Sequence, residues 1–139
     1  MMKKILIIVC AFLIFYSCSA QLTEKIEVTY PNGQPELVLM LDKSGECVKR
    51  IDYYDTGLVK MEGALKDGKR EGQWKAYFPD GRPQSIGYFK NDLREGKALV
   101  YWDNGNLRSD GFYKAGKHCG KWKWYDEQGN LLREEDYGE

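Results

Sequence analysis

Helical periodicity is missing from this chain: after residue 21 no segment repeats apolar residues at three-to-four spacing, which excludes a helix bundle and a βαβ fold. Histidine is nearly absent too, with His118 alone, and of four cysteines only Cys47 and Cys119 lie clear of the N-terminus, too few for a structural zinc site. Basic excess is lacking, since 21 Lys and Arg face 21 Asp and Glu, so the electrostatic footprint of a nucleic-acid binder is not there. The longest apolar run, Ile5 to Phe15, has eleven residues and is too short to span the ~30 Å of a bilayer core.

What the chain has is glycine, fifteen residues of it, and a strict period. Gly33, Gly57, Gly81, Gly105 and Gly129 recur every twenty-four residues, with Tyr53, Tyr77, Tyr101 and Tyr125 on the same beat. Further columns obey it: Gly63, Gly87 and Gly111; Gly72, Gly96 and Gly120; Leu65, Phe89, Tyr113 and Tyr137; Trp74 and Trp122 with Ala98 between them. Fixed-period self-similarity marks a tandem repeat of small supersecondary units that bury apolar surface only by stacking. The expected fold is all-β, an antiparallel β-meander of 24-residue hairpins with about ten strands in a single twisted sheet. Residues 51–139 carry the regular repeats and 26–50 a degenerate N-terminal cap.

Asp80-Gly81 and Asn104-Gly105 suggest type I′ turns, in which both central residues take positive φ. That places Phe78 opposite Pro83, Ala76 opposite Ser85 and Trp74 opposite Gly87; the next unit pairs Trp102 with Leu107, Val100 with Ser109 and Ala98 with Gly111. Trp74 is then expected to lie across Gly87, an aromatic filling the gap a strand glycine leaves. The second connections, 67–72, 91–96 and 115–120, read as longer, charged, exposed loops. Alternation sorts Trp74, Phe89, Trp102, Leu107, Tyr113 and Trp122 onto a core face. Gln73, Lys75, Tyr77, Tyr88, Tyr101, Arg108, Phe112 and Tyr125 fall on a wet face with an aromatic stripe. Cys47 and Cys119, three periods and some six strands (~29 Å) apart, are expected to be unpaired.

Residues 1–17 have the three parts of a secretory signal: Lys3-Lys4, the apolar run, and Tyr16-Ser17 before Cys18. Ser17-Cys18 resembles a bacterial lipobox, so lipidation at Cys18 is expected, followed by a linker over 18–25; ordinary cleavage after Ala20 is the alternative. The expected location is the cell envelope, as a lipoprotein of the outer membrane, or else secreted or periplasmic.

Two matches to G-x-x-x-x-G-K, at Gly63 to Lys69 and Gly111 to Lys117, lack the Ser or Thr that holds Mg²⁺ and any following helix, so they are repeat echoes and not phosphate loops. His118 beside Cys119 reads as a solvated loop histidine, without the third group that orients a nucleophile pair. Glu134-Glu135-Asp136 reads as a solvated last strand.

The segments Gly63-Ala-Leu-Lys-Asp-Gly-Lys-Arg-Glu-Gly-Gln-Trp-Lys-Ala-Tyr77 and Gly111-Phe-Tyr-Lys-Ala-Gly-Lys-His-Cys-Gly-Lys-Trp-Lys-Trp-Tyr125 resemble MORN-repeat variant proteins, over about residues 51–137. The resemblance implies a scaffold without catalytic residues or cofactor. In one branch such repeats are the antitoxin or immunity member of a toxin–antitoxin pair. Tyr77, Tyr88, Tyr101, Phe112 and Tyr125 are the candidate binding residues, with a protein partner expected, a toxin among the possibilities. The other reading is an envelope structural protein that holds polysaccharide on the same aromatics.

Overall fold

The structure, a computed structural model, describes residues 21–138; the signal segment 1–17 and Cys18 lie outside the described residues. Ten strands follow one another: β1 (Thr23–Thr29), β2 (Pro35–Leu41), β3 (Cys47–Tyr53), β4 (Val59–Lys66), β5 (Lys69–Tyr77), β6 (Pro83–Lys90), β7 (Leu93–Tyr101), β8 (Leu107–Lys114), β9 (Lys117–Tyr125) and β10 (Leu131–Asp136). They form one antiparallel sheet in sequence order, β1 to β10. β1 starts at Thr23, inside the stretch 18–25 that reads as a linker from sequence. Cys47 and Cys119 are both free, on β3 and β9.

The two connections have exchanged the geometries expected of them. At 78–82 the Phe78 N–H donates to the Arg82 carbonyl (2.8 Å) and the Gly81 N–H to the Phe78 carbonyl (2.8 Å). Only Gly81, at φ +87°, is left-handed there, which makes a three-residue loop with a glycine bulge and not type I′. Asp80 serves another purpose: its carboxylate accepts the Arg82 N–H at 3.0 Å, as Asn104 does for Asn106 at 2.9 Å. The type I′ turns sit at the other edge, at Asp67-Gly68, Asn91-Asp92 and Ala115-Gly116, where both residues of each pair have positive φ. Lys66 pairs with Lys69, Lys90 with Leu93 and Lys114 with Lys117, so the expected loops are two-residue turns. Gly72, Gly96 and Gly120, at φ +70°, +90° and +59°, mark bulges inside β5, β7 and β9.

The cap has its own turn pattern. Tyr30–Gln34 and Asp42–Glu46 both form the three-residue loop, so glycine bulges at Gly33, Gly45 and Gly57 stand twelve residues apart. No type I′ turn occurs before Asp67 among the described residues.

Mid-strand register is as the repeat predicts, with Trp74 opposite Gly87, Ala76 opposite Ser85, Ala98 opposite Gly111 and Val100 opposite Ser109. Next to the turns it slips. Tyr77, not Phe78, pairs with Pro83, and Tyr101, not Trp102, pairs with Leu107, because the loop is one residue wider than type I′. Leu107 therefore joins Tyr101, while Arg108 stacks on Trp102 at 4.5 Å. These two residues exchange the faces expected of them.

The core is made of rings on backbone. Trp74 and Trp122 are only 5% and 4% exposed although the described residues form a single layer. Each indole lies on the glycine of the preceding strand: a Cβ built on Gly63 would stand 2.2 Å from Trp74, and one on Gly111 2.1 Å from Trp122. Each indole N–H then donates to the next carbonyl, Ala64 at 3.0 Å and Phe112 at 2.9 Å. The expected partner of Trp74, Gly87, is not beneath it. Trp74 pairs with both Gly63 and Gly87, and it leans toward β4, where the Ala64 carbonyl holds the indole N–H.

Gly63→Ala and Gly111→Ala are expected to lose ~3 kcal/mol or more, since Cβ and a buried indole cannot share the space. Gly87→Ala, which meets only the flexible tip of Arg94 at 3.4 Å, should stay within ~0.5 kcal/mol. Urea denaturation of the three variants decides between this packing and Trp74 over Gly87. Ala115, at φ +48° in a type I′ turn, predicts the opposite sign. Ala115→Gly should gain ~0.5–1 kcal/mol by removing the left-handed penalty, read as a raised melting temperature.

Candidate binding surfaces

The five aromatics expected to bind lie on one face, in two rows. Tyr77, Tyr101 and Tyr125 end β5, β7 and β9 beside the wide turns, whereas Tyr88 and Phe112 lie in β6 and β8 opposite Gln73 and Lys97. Four residues along a strand separate the rows, ~13 Å. Between them runs a mixed row, Lys75, Ile86, Leu99, Asp110 and Lys123, each opposite the next. The expected single stripe is therefore divided.

The two rows also differ in freedom. Tyr77, Tyr101 and Tyr125 are half-buried and tied into the sheet. The Tyr77 hydroxyl donates to Glu62 at 3.0 Å, and the Tyr77 and Tyr125 carbonyls accept the Tyr54 hydroxyl (2.8 Å) and the Trp102 indole N–H (3.1 Å) of the preceding unit. Tyr88 and Phe112 are 41% and 46% exposed; Gln73 donates to the Tyr88 hydroxyl at 2.8 Å, and Phe112 has Lys97 Nζ at 5.8 Å from its ring centre.

Glu62 joins the first row to the cap through Lys49, 2.6 Å away. Lys49, aided by the Tyr77 hydroxyl, holds the carboxyl below the usual glutamate range against the opposing effect of burial, while burial, and after it the hydrogen bond to Glu62, raises Tyr77.

The opposite, tryptophan face carries hollows. One of about 630 Å³ lies between Val28, Leu37, Leu39, Met61, Leu65 and Trp74. Two more, of about 480 and 360 Å³, flank the middle of the sheet, and Arg94, Val100 and Arg108 line both. Along this face charge and ring alternate. Arg70 sits 4.1 Å from the Phe89 ring centre, Arg94 5.4 Å from Phe89 and 5.2 Å from Tyr113, and His118 5.0 Å from Tyr113 and 4.9 Å from Tyr137. His118 is in strand β9, stacked 4.1 Å from Trp122, and not in a loop; Cys119, the next residue of the strand, points the other way. Among the described residues no three His, Cys, Asp or Glu side chains gather where they could hold a metal ion.

Sequence reasoning missed Arg94 and Arg108 on this face. Ala98 in the tryptophan column was the signal that could have found Arg94, because a missing indole leaves space. Arg108 had no such signal: its side depends on the turn slip.

Three segments, 70–91, 94–115 and 119–138, match the family model of the MORN repeat variant. These three segments are MORN-type repeats. Each matched MORN unit is one hairpin with the glycine-bulge loop inside it, β5–β6, β7–β8 and β9–β10, and the type I′ turns join units. The match begins at residue 70, so the first part of the resemblance over about 51–137, which includes β4, is outside it. No curated protein matches the chain significantly. MORN repeats commonly serve as protein- or membrane-binding modules.

A depressed folded-state carboxyl stabilises above its unfolded pKa and loses that contribution as pH falls through the folded one. Wild type should thus lose stability as pH drops below the ordinary glutamate range. Glu62→Gln should be less stable at neutral pH by under ~1 kcal/mol, with a flatter acid limb, in melting temperatures followed from neutral pH downward. Equal limbs would remove Glu62 from that role.

Proposed function

We propose that this chain is a non-catalytic protein-binding repeat module, tethered to the bacterial cell envelope by a lipid on Cys18. Occlusion of a toxin, as an antitoxin or immunity protein, is one use of such a module. The observation that carries the reading is a single-layer sheet of paired strands with large aromatics left uncovered, Tyr88 and Phe112 above all. Interfaces concentrate their energy in a few such anchors, and rings held on paired strands lose little freedom on binding. The tether rests on the leader, Lys3 to Cys18.

The test is cross-linking in native membranes, followed by capture of the same partner with variants. Tyr88→Ala/Phe112→Ala should keep its circular dichroism and melt within ~1 kcal/mol of wild type, yet bind the partner at least ~30-fold more weakly, an anchor loss of ~2 kcal/mol. Unchanged binding would take this face out of the interface. Capture of glycan alone would replace the protein partner with polysaccharide. A Cys18→Ala form that stays in the membrane fraction would remove the lipid tether.

A further inference from the structure

Of the six arginines in the sequence, Arg50, Arg70, Arg82 and Arg133 each hold a carboxylate, at 2.7, 3.1, 2.5 and 3.0 Å. Arg94 and Arg108 hold none among the described residues, and neither guanidinium donates a hydrogen bond to the protein there. These two line the same pair of adjoining hollows in the middle of the tryptophan face. Their setting follows from one break in the repeat. Where the column has Trp74 and Trp122 it has Ala98 in between, and over Gly87 the Arg94 guanidinium takes the place an indole holds over Gly63 and Gly111. Arg108 reaches this face because the register slips at the wide turn, and it stacks on Trp102.

A guanidinium lying on a ring keeps its N–H donors around its perimeter, in the fork that matches a carboxylate. The lining is mixed: Trp122 and Trp124 stand beside Ser109 and His118 in one hollow, and Phe78 and Trp102 beside Gln84, Ser85, Asp103 and Glu127 in the other. We infer that the paired hollows between Arg94 and Arg108 form a docking site for an acidic peptide segment of a partner protein, one Asp or Glu side chain meeting the guanidiniums while apolar neighbours enter the hollows. A membrane is disfavoured as occupant because the other arginines of this face, Arg50, Arg70 and Arg133, are already matched by Asp52, Asp92 and Glu135, so the described residues offer no row of unmatched arginines to anionic headgroups. Asp103 and Glu127 at the rim of the larger hollow would reject a second acidic residue there, which limits the segment to one carboxylate at the centre.

The inference rests on the protein-binding reading and assigns it a partner chemistry on the opposite face. The test starts from a display library of random dodecapeptides panned on the full chain and on an Arg94→Gln/Arg108→Gln variant. Wild type should enrich peptides with a single acidic residue between aromatic or aliphatic ones, and the variant should not. The best peptide should quench tryptophan fluorescence saturably and bind at least tenfold tighter than its Glu-to-Gln copy. The Arg94→Lys/Arg108→Lys form should retain part of that preference. Should Arg94→Gln disturb folding by circular dichroism, Arg108→Gln alone, at an exposed position, carries the comparison. No acidic enrichment, or equal binding of the Glu and Gln peptides, overturns the site. So does arginine-dependent binding to phosphatidylglycerol vesicles that exceeds binding to the peptide. Partner capture lost in Tyr88→Ala/Phe112→Ala but intact in the arginine variant would leave the module standing and remove this site; the converse would keep the site and remove the tyrosine face.

Discussion

The packing of this sheet depends on two indoles lying on glycine backbone. With no second layer among the described residues to cover them, Trp74 and Trp122 leave water by settling onto Gly63 and Gly111, where the absence of Cβ lets ring and backbone touch. The N–H of each is taken up by the carbonyl one residue beyond that glycine, so burial leaves no unpaired donor. Other rings build outward from these two: Phe89 meets Trp74 edge-on at 6.2 Å, and Tyr113 meets Trp122 at 5.0 Å. Arg70, Arg94 and His118 fill the spaces between rings. The chain thereby makes a core from a surface that a flat aliphatic pattern would have left wet.

Outside the cap, which has a wide loop at Asp42–Glu46 as well, two turn geometries alternate along the sheet edges and link the units. On one edge the wide loops at 30–34, 78–82, 102–106 and 126–130 hold an Asx hydrogen bond, and Tyr30, Tyr54 and Trp102 each reach the carbonyl twenty-three residues on. On the other, the tight turns dock onto the preceding unit: Asp92 and Gly116 N–H groups donate to the Arg70 and Arg94 carbonyls, and Glu71 and Glu95 accept from Asn91 and Ala115. Contacts therefore run from neighbour to neighbour, the energetic arrangement of a repeat array. Bulges at Gly72, Gly96 and Gly120 bend the strands between these edges.

The two faces differ in chemistry as a result. The tyrosine face is interrupted by a charged and aliphatic row and offers two free rings on paired strands. The tryptophan face is closed wherever an indole meets a glycine and open at Ala98, where the repeat lapses.

Strand number, strand order and mid-strand register were legible from the glycine and tyrosine period, because a period of twenty-four residues with one glycine at each wide turn admits one way of pairing neighbouring strands. The sorting of Trp74, Phe89 and Tyr113 against Lys75, Tyr88 and Phe112 followed from alternation alone. Turn type was not legible. Asp-Gly suits both a type I′ turn and a glycine-bulge loop, and the choice between them depends on whether the aspartate takes positive φ or accepts a backbone N–H. That choice moved Leu107 and Arg108 across the sheet. Which glycine lies beneath Trp74 was also beyond the sequence, for Gly63 and Gly87 flank it on either side and repeat with the same period. Only the assembled strands, with the Ala64 carbonyl on one side and the Arg94 side chain on the other, decide where the indole rests.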